Sequence, residues 1–173
     1  MRTNSLRFVL GLFLSVFLFT GTVSPVHATE TKTEGYTSLQ GVKHVNAVFD
    51  FRIGDPKSAA LHLDVIHQTC KDKALQMGKK KPVFAVVFSG PSVKLLSTKR
   101  EGVTADDAKV LDGIASMLAV MAKEGIRLEV CQIALKVLNV DPASVLPELH
   151  KVGNGYVSLI GYGAQGYSLV PVY

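Results

Sequence analysis

The spacing of apolar positions changes repeatedly along this chain, from short unbroken runs to stripes three and four residues apart. Residues 82–88, PVFAVVF, are continuously apolar, which predicts a strand buried on both faces. HVNAVFDF (44–51) and IRLEVC (126–131) predict two more strands. LHKV (149–152) is a short fourth and YSLVPV (167–172) a fifth, where Pro171 fits only a sheet edge or a strand end.

Helical stripes lie between these runs. Asp55-Pro56 opens a helix predicted to reach about Gly78, with Ala59, Leu63, Ile66, Cys70, Ala74 and Met77 on one face. Thr104 caps a second helix, with Asp107 at the capping-box position and Gly125 as its stop. Its predicted apolar face is Ala108, Leu111, Ala115, Leu118 and Ala122. Asp141-Pro142 opens a single turn, and a glycine-rich helix follows Gly155. Strands alternating with helices imply parallel βαβ units whose right-handed crossovers cover both sheet faces. The expected fold is α/β: a three-layer α/β/α domain over residues 44–173, with a five-stranded, mainly parallel sheet.

The first 28 residues follow a different pattern. Arg2 and Arg7 precede the apolar run FVLGLFLSVFLF (8–19), and VHA ends at Ala28, the layout of a cleavable secretory signal. The run is shorter than the ~20 apolar residues that span a bilayer. Residues 29–43 are polar and without apolar period, so a flexible lead-in is expected there. The mature chain is therefore expected in the periplasm or outside the cell, with no membrane attachment after cleavage. The formal charge of +5 includes Arg2 and Arg7, which leave with the signal. Export and this mild excess argue against nucleic acid as a partner.

Chemistry in a parallel sheet collects at the carboxyl ends of the strands. Three loops qualify: RIGDPKS (52–58), SGPSVKLLS (89–97) and the junction at Cys131. Only the last holds a nucleophile. The N–H groups of Gln132, Ile133 and Ala134 open a helix there, and a helix N-terminus favours a thiolate. The competing reading is a small buried hydrophobe that fills a strand end, as free cysteines often do. Strict alternation puts Cys131 on the side of Arg127 and Glu129, away from Leu128 and Val130. Cys70 lies on the apolar stripe of the first helix and is expected to pack in the core, well away from Cys131. His62 and His67 are off the i, i+4 spacing of a helical metal site, and no phosphate-loop pattern is present. Ser89 and Ser92 have no recognisable His–Asp partners, and Lys94, Lys99 and Arg100 read either as a solvated loop or as a greeting for an anion. No metal or cofactor site is assigned. No C-x-x-C pair accompanies Cys131, which argues against a thiol oxidoreductase.

VFAVVFSGPSVKLL and GIRLEVCQIALKVLNVDPASVLPELHKVGNGYVSLIGYGAQGYSLVPV together resemble the DsrE/DsrF-like sulfur-relay family, and more closely its exported, stand-alone branch. The specific parts are the strand–Cys–helix junction, the NVD and LP that follow it, and the GY entering the last strand. The resemblance implies a five-stranded parallel sheet and homo-oligomers such as trimers or hexamers. It also implies a persulfide on Cys131, exchanged with sulfur donor and acceptor proteins without a cofactor, as a carrier or sulfurtransferase. Many relatives have histidine where Ser89 precedes Gly90, so acid–base help from that position does not carry over. The alternative is a non-catalytic oligomeric ligand-binding module in which Cys131 is structural.

The signal boundary generates a direct expectation. N-terminal sequencing of exported protein should begin at Thr29; a chain that begins at Met1 in the membrane fraction would contradict it.

Overall fold

The computed structural model describes residues 35–76 and 81–173. The expected signal (1–28), the start of the polar lead-in and the expected helix end at Met77 and Gly78 lie outside the described residues. Five strands form one sheet in the order β4-β3-β2-β1-β5: β1 (Asn46–Phe51), β2 (Val83–Phe88), β3 (Arg127–Cys131), β4 (His150–Val152) and β5 (Ser168–Val172). Every neighbouring pair is parallel. β5 pairs only with β1, which gives Pro171 the edge position its missing N–H requires.

The two faces are covered unequally. Helices α1 (Pro56–Lys71) and α2 (Ala105–Lys123) pack together on one face, over Ala47, Phe49, Phe51, Phe84, Val86 and Phe88. Asp55 caps α1 by accepting from the Ser58 N–H, and Thr104 caps α2 by accepting from the Asp107 N–H. The other face carries a smaller cluster of Val48, Ala85, Val87 and Tyr162, with Leu159 and Tyr167 against it. Its cover is α4 (Gly155–Ala164), while the short α3 (Gln132–Val137) lies at the carboxyl edge after β3. Among the described residues, no helix is long and apolar enough to cross a membrane.

Two helical expectations shift. α1 stops at Lys71, because Asp72 takes an extended conformation. The Asp72 carboxylate caps a following 3-10 turn at Ala74 and also accepts from the Tyr36 hydroxyl at 2.8 Å. The local side-chain bonds of an aspartate compete here with a continuing apolar stripe, and they win. In α2 the buried residues are Leu111, Ile114, Leu118 and Met121, so the stripe is turned from the alanine-rich face toward the larger side chains. Burial of the larger side chains removes more apolar area from water.

Cys70 is buried at the end of α1, near Phe84 and Ile126 at the amino edge of the sheet. Cys131 ends β3 at the opposite edge, and both thiols are free. Burial, assisted by the nearby Glu124 carboxylate, pushes the Cys70 thiol up to about 12. Cys70→Ala should lower stability by about 1–2 kcal/mol through a small void, with no change in thiol reactivity of the folded protein. Denaturant unfolding with parallel thiol labelling checks both halves of that expectation.

Candidate functional site

The parallel register builds the site. Phe51 pairs with Phe88, and Phe88 with Val130, so the next residue of each strand falls in one row: Arg52, Ser89 and Cys131. Adjacent strands lie about 4.8 Å apart, which puts Arg52 and Cys131 roughly 10 Å apart across the row. Alternation turns all three toward the α4 face, with Asp50, Val87 and Glu129 two residues earlier. The row borders a cavity of about 310 Å³, walled by Pro91, by Ile133, Ala134 and Val137 of α3, and by Asn154 and Tyr156 at the start of α4.

The loops that carry the row are fixed by short contacts. The Ser92 hydroxyl donates to the carbonyls of Phe51 or Ser89, each 2.9 Å away, and the Ser89 N–H donates to Phe51 O at 3.1 Å. Gly54 lies so close to Pro91 that a Cβ there would come within 2.5 Å of the proline Cβ. Only glycine permits that approach without displacing the loop.

Cys131 is the N-cap of α3, but its sulfur makes no capping hydrogen bond. It exposes 6% of its surface, less than an open strand end would suggest. The cover is Gly155, the first residue of α4, where an added Cβ would sit 3.1 Å from Cys131 Cβ and 3.6 Å from Sγ. The sequence points to α3 as the source of a helix dipole at the sulfur. α3 is only six residues long, and the longer α4 also begins against the same thiol. α4 is held in place by Tyr162, which packs on Val48, Ala85 and Val87 and donates from its hydroxyl to Glu129 Oε1 at 2.7 Å.

Arg52 is the residue that sequence reasoning missed. Its guanidinium grips Asp50 through Nε at 3.0 and 3.1 Å and Nη2 at 2.8 Å, and Asp50 is only 2% exposed. The Tyr173 hydroxyl donates to the same carboxylate at 3.2 Å, and the Ser89 hydroxyl lies 3.5 Å from it. The rings of Tyr156 and Tyr173 each lie 5.3 Å from Arg52 Cζ, close enough for cation–π attraction. Asp50 holds the Arg52 guanidinium well above its already high range, so it stays charged. Its signal in the sequence is faint: one basic residue directly after an apolar run that itself contains an acid, FDFR (49–52).

The other candidates stand apart. Lys99 pairs with Asp141 at 2.9 Å and Arg100 with Asp112 at 3.1 Å, so these two cations of the second loop serve its own structure. His67 bonds Glu124 at 2.6 Å, and His62 Nδ1 lies 2.9 Å from Ser58 O, both on the α1 surface. Among the described residues no group of three or more His, Cys, Asp or Glu side chains could hold a metal ion. A larger groove of about 440 Å³ between α1 and the β1–β5 edge is mainly apolar and holds no cysteine.

No curated protein sequence matches the chain. MTH1491 of Methanobacterium thermoautotrophicum, a protein of unknown function, superposes with a TM-score of 0.56 at 15% identity, covering 73% of this chain and 98% of its own. BT1422 of Bacteroides thetaiotaomicron gives a TM-score of 0.46 at 16% identity over 73% of this chain and 94% of its own. The ychN protein from E. coli gives 0.45 at 12% identity over 76% and 99%. At these identities the first of them speaks for the fold alone. The profile of the DsrE/DsrF-like family matches residues 22–172, nearly the whole chain. With five parallel strands in three layers and the strand–Cys–helix junction at their carboxyl edge, the chain belongs to the DsrE/DsrF-like family.

Proposed function

We propose that this protein is an exported sulfur carrier in which Cys131 takes up a sulfane sulfur and passes it to an acceptor. The observation that carries the reading is a free thiol on the wall of a 310 Å³ cavity that a charged arginine also lines. In the uptake step the Cys131 thiolate attacks the sulfane sulfur of the donor. The S–S bond within the donor breaks, the rest of the donor leaves with the electron pair, and Cys131 keeps a persulfide. In release an acceptor thiolate attacks the outer sulfur and Cys131 leaves as its thiolate, so no cofactor or external oxidant is required. α3 opens directly after Cys131, and Gly155, the first residue of α4, packs against it, so the sulfur sits where two helices begin.

Export through the 1–28 signal to the periplasm or the medium belongs to this reading, as does assembly into a homo-oligomer such as a trimer or hexamer. The exposed Ile133, Val137 and Tyr156 of the cavity wall, with Val157 and Ile160 further along α4, are apolar surface that assembly would cover. A second reading is favoured by the 6% exposure of Cys131: a binding module in which the thiol is only part of the wall.

Competitive alkylation of the folded protein from mildly acidic to mildly alkaline pH separates the two. Cys131 should react well before Cys70, which burial keeps protonated up to about 12. Cys131→Ser should abolish persulfide formation and leave the circular dichroism unchanged. If Cys131 reacts no faster than Cys70, or only in denaturant, the carrier reading fails and the wall reading stands.

A further inference from the structure

Arg52 is the only charged side chain among the described residues that line the Cys131 cavity. Its partner Asp50 does not cancel it there. The carboxylate is enclosed, at 2% exposure, and Arg52, Tyr173 and Ser89 surround it. The Arg52 side chain is 32% exposed and borders the cavity. Asp50 takes Nε and Nη2, and no second carboxylate pairs with the guanidinium among the described residues. A cation anchored from behind by a buried acid, steadied by two tyrosine rings and open toward a cavity is built to receive a planar or tetrahedral oxyanion. Pro91, Ile133, Ala134 and Val137 complete the wall and bring no competing charge.

The spacing limits the ligand. Arg52 and Cys131 are separated by about two strand spacings, roughly 10 Å between Cα atoms. The guanidinium is turned onto Asp50 and lies against the rings of Tyr156 and Tyr173, and the cavity that it shares with the sulfur has room for a small ligand. We propose that Arg52 is the anion-recognition residue of this cavity and that the sulfur donor it positions is a small anionic sulfane-sulfur compound of the thiosulfonate class. The donor assignment rests on the carrier reading; the anion recognition does not. In the step, the Cys131 thiolate attacks the sulfane sulfur and forms a new S–S bond. The bond from that sulfur to the oxidised sulfur breaks, and the oxidised fragment departs with the electron pair as sulfite or a sulfinate held at Arg52. Cys131 is left as a persulfide anion, and no separate oxidant is consumed.

Iodoacetate and iodoacetamide are nearly equal in size and differ in charge, so their relative rates at Cys131 report recognition of an anion. The iodoacetate-to-iodoacetamide ratio in the folded wild-type protein should exceed that of the unfolded chain by roughly tenfold, the scale of one hydrogen bond to a charged group. The double variant Asp50→Asn with Arg52→Gln leaves no unpaired buried charge and should return the ratio to the unfolded value. Thiosulfate should convert Cys131 to the persulfide with release of one sulfite, read by intact mass and sulfite assay. Equal ratios in folded and unfolded wild-type protein would overturn anion recognition while leaving a reactive Cys131, and so the carrier reading, intact. An anion preference with no sulfur uptake from thiosulfate would overturn the donor class. Failure of both reagents to reach Cys131 in the folded protein would overturn this inference and the carrier reading together.

Discussion

A sheet of parallel strands made of PVFAVVF-like runs must be covered on both faces, and in this chain the cover on one face is a single helix of ten residues. α1 and α2 seal the opposite face with a broad apolar layer. Among the described residues the buried apolar cluster beneath α4 is small, Val48, Ala85 and Val87, and Tyr162 anchors the helix to it: the ring fills that cluster and the hydroxyl reaches Glu129. Burial and this hydrogen bond push the Tyr162 hydroxyl up to about 12, which keeps it a donor to the carboxylate. The seat of α4 in turn decides what lies over Cys131. Its first residue is Gly155, and a side chain there would press on the Cβ of Cys131.

The same constraint links the fold to the site. All strands run one way, so β1, β2 and β3 end together and deliver Arg52, Ser89 and Cys131 as one row. The loops beyond that row are short and tied, through Ser92 to Phe51 and through the contact of Gly54 with Pro91. A half-buried pair such as Asp50–Arg52 adds little net stability, since desolvation offsets much of its attraction. Removing the arginine alone is destabilising, because the enclosed Asp50 carboxylate is then left without its cation. Such a pair is better understood as a device that holds one cation in one place than as a source of stability.

Much of this was legible in the sequence. The apolar runs located five strands, the Asp-Pro and Thr caps located the helix starts, and alternation placed Cys131 on the side of Glu129 rather than Val130. Other features depend on tertiary choices that no local pattern carries. At the end of α1, Asp72 caps the next turn through its own side chain and also accepts from Tyr36, more than thirty residues earlier in the chain. The turn of the α2 stripe toward Ile114 and Met121 reflects what α1 and the sheet offer to bury. Arg52 escaped notice because its importance lies in the register of three strands, and register is set by pairing across the sheet. Lys99 and Arg100 drew attention as a charge run, yet their partners Asp141 and Asp112 come from separate segments.

The central claim is that the thiol at the end of β3 carries sulfur. It is tested most directly by intact mass of the protein purified, without reductant, from the compartment where it accumulates. The account predicts a population heavier by one or more whole sulfur atoms, mapped to the Cys131 peptide and removed by dithiothreitol. A single unmodified mass from cells actively metabolising reduced sulfur, or added sulfur found on Cys70 instead, would contradict it.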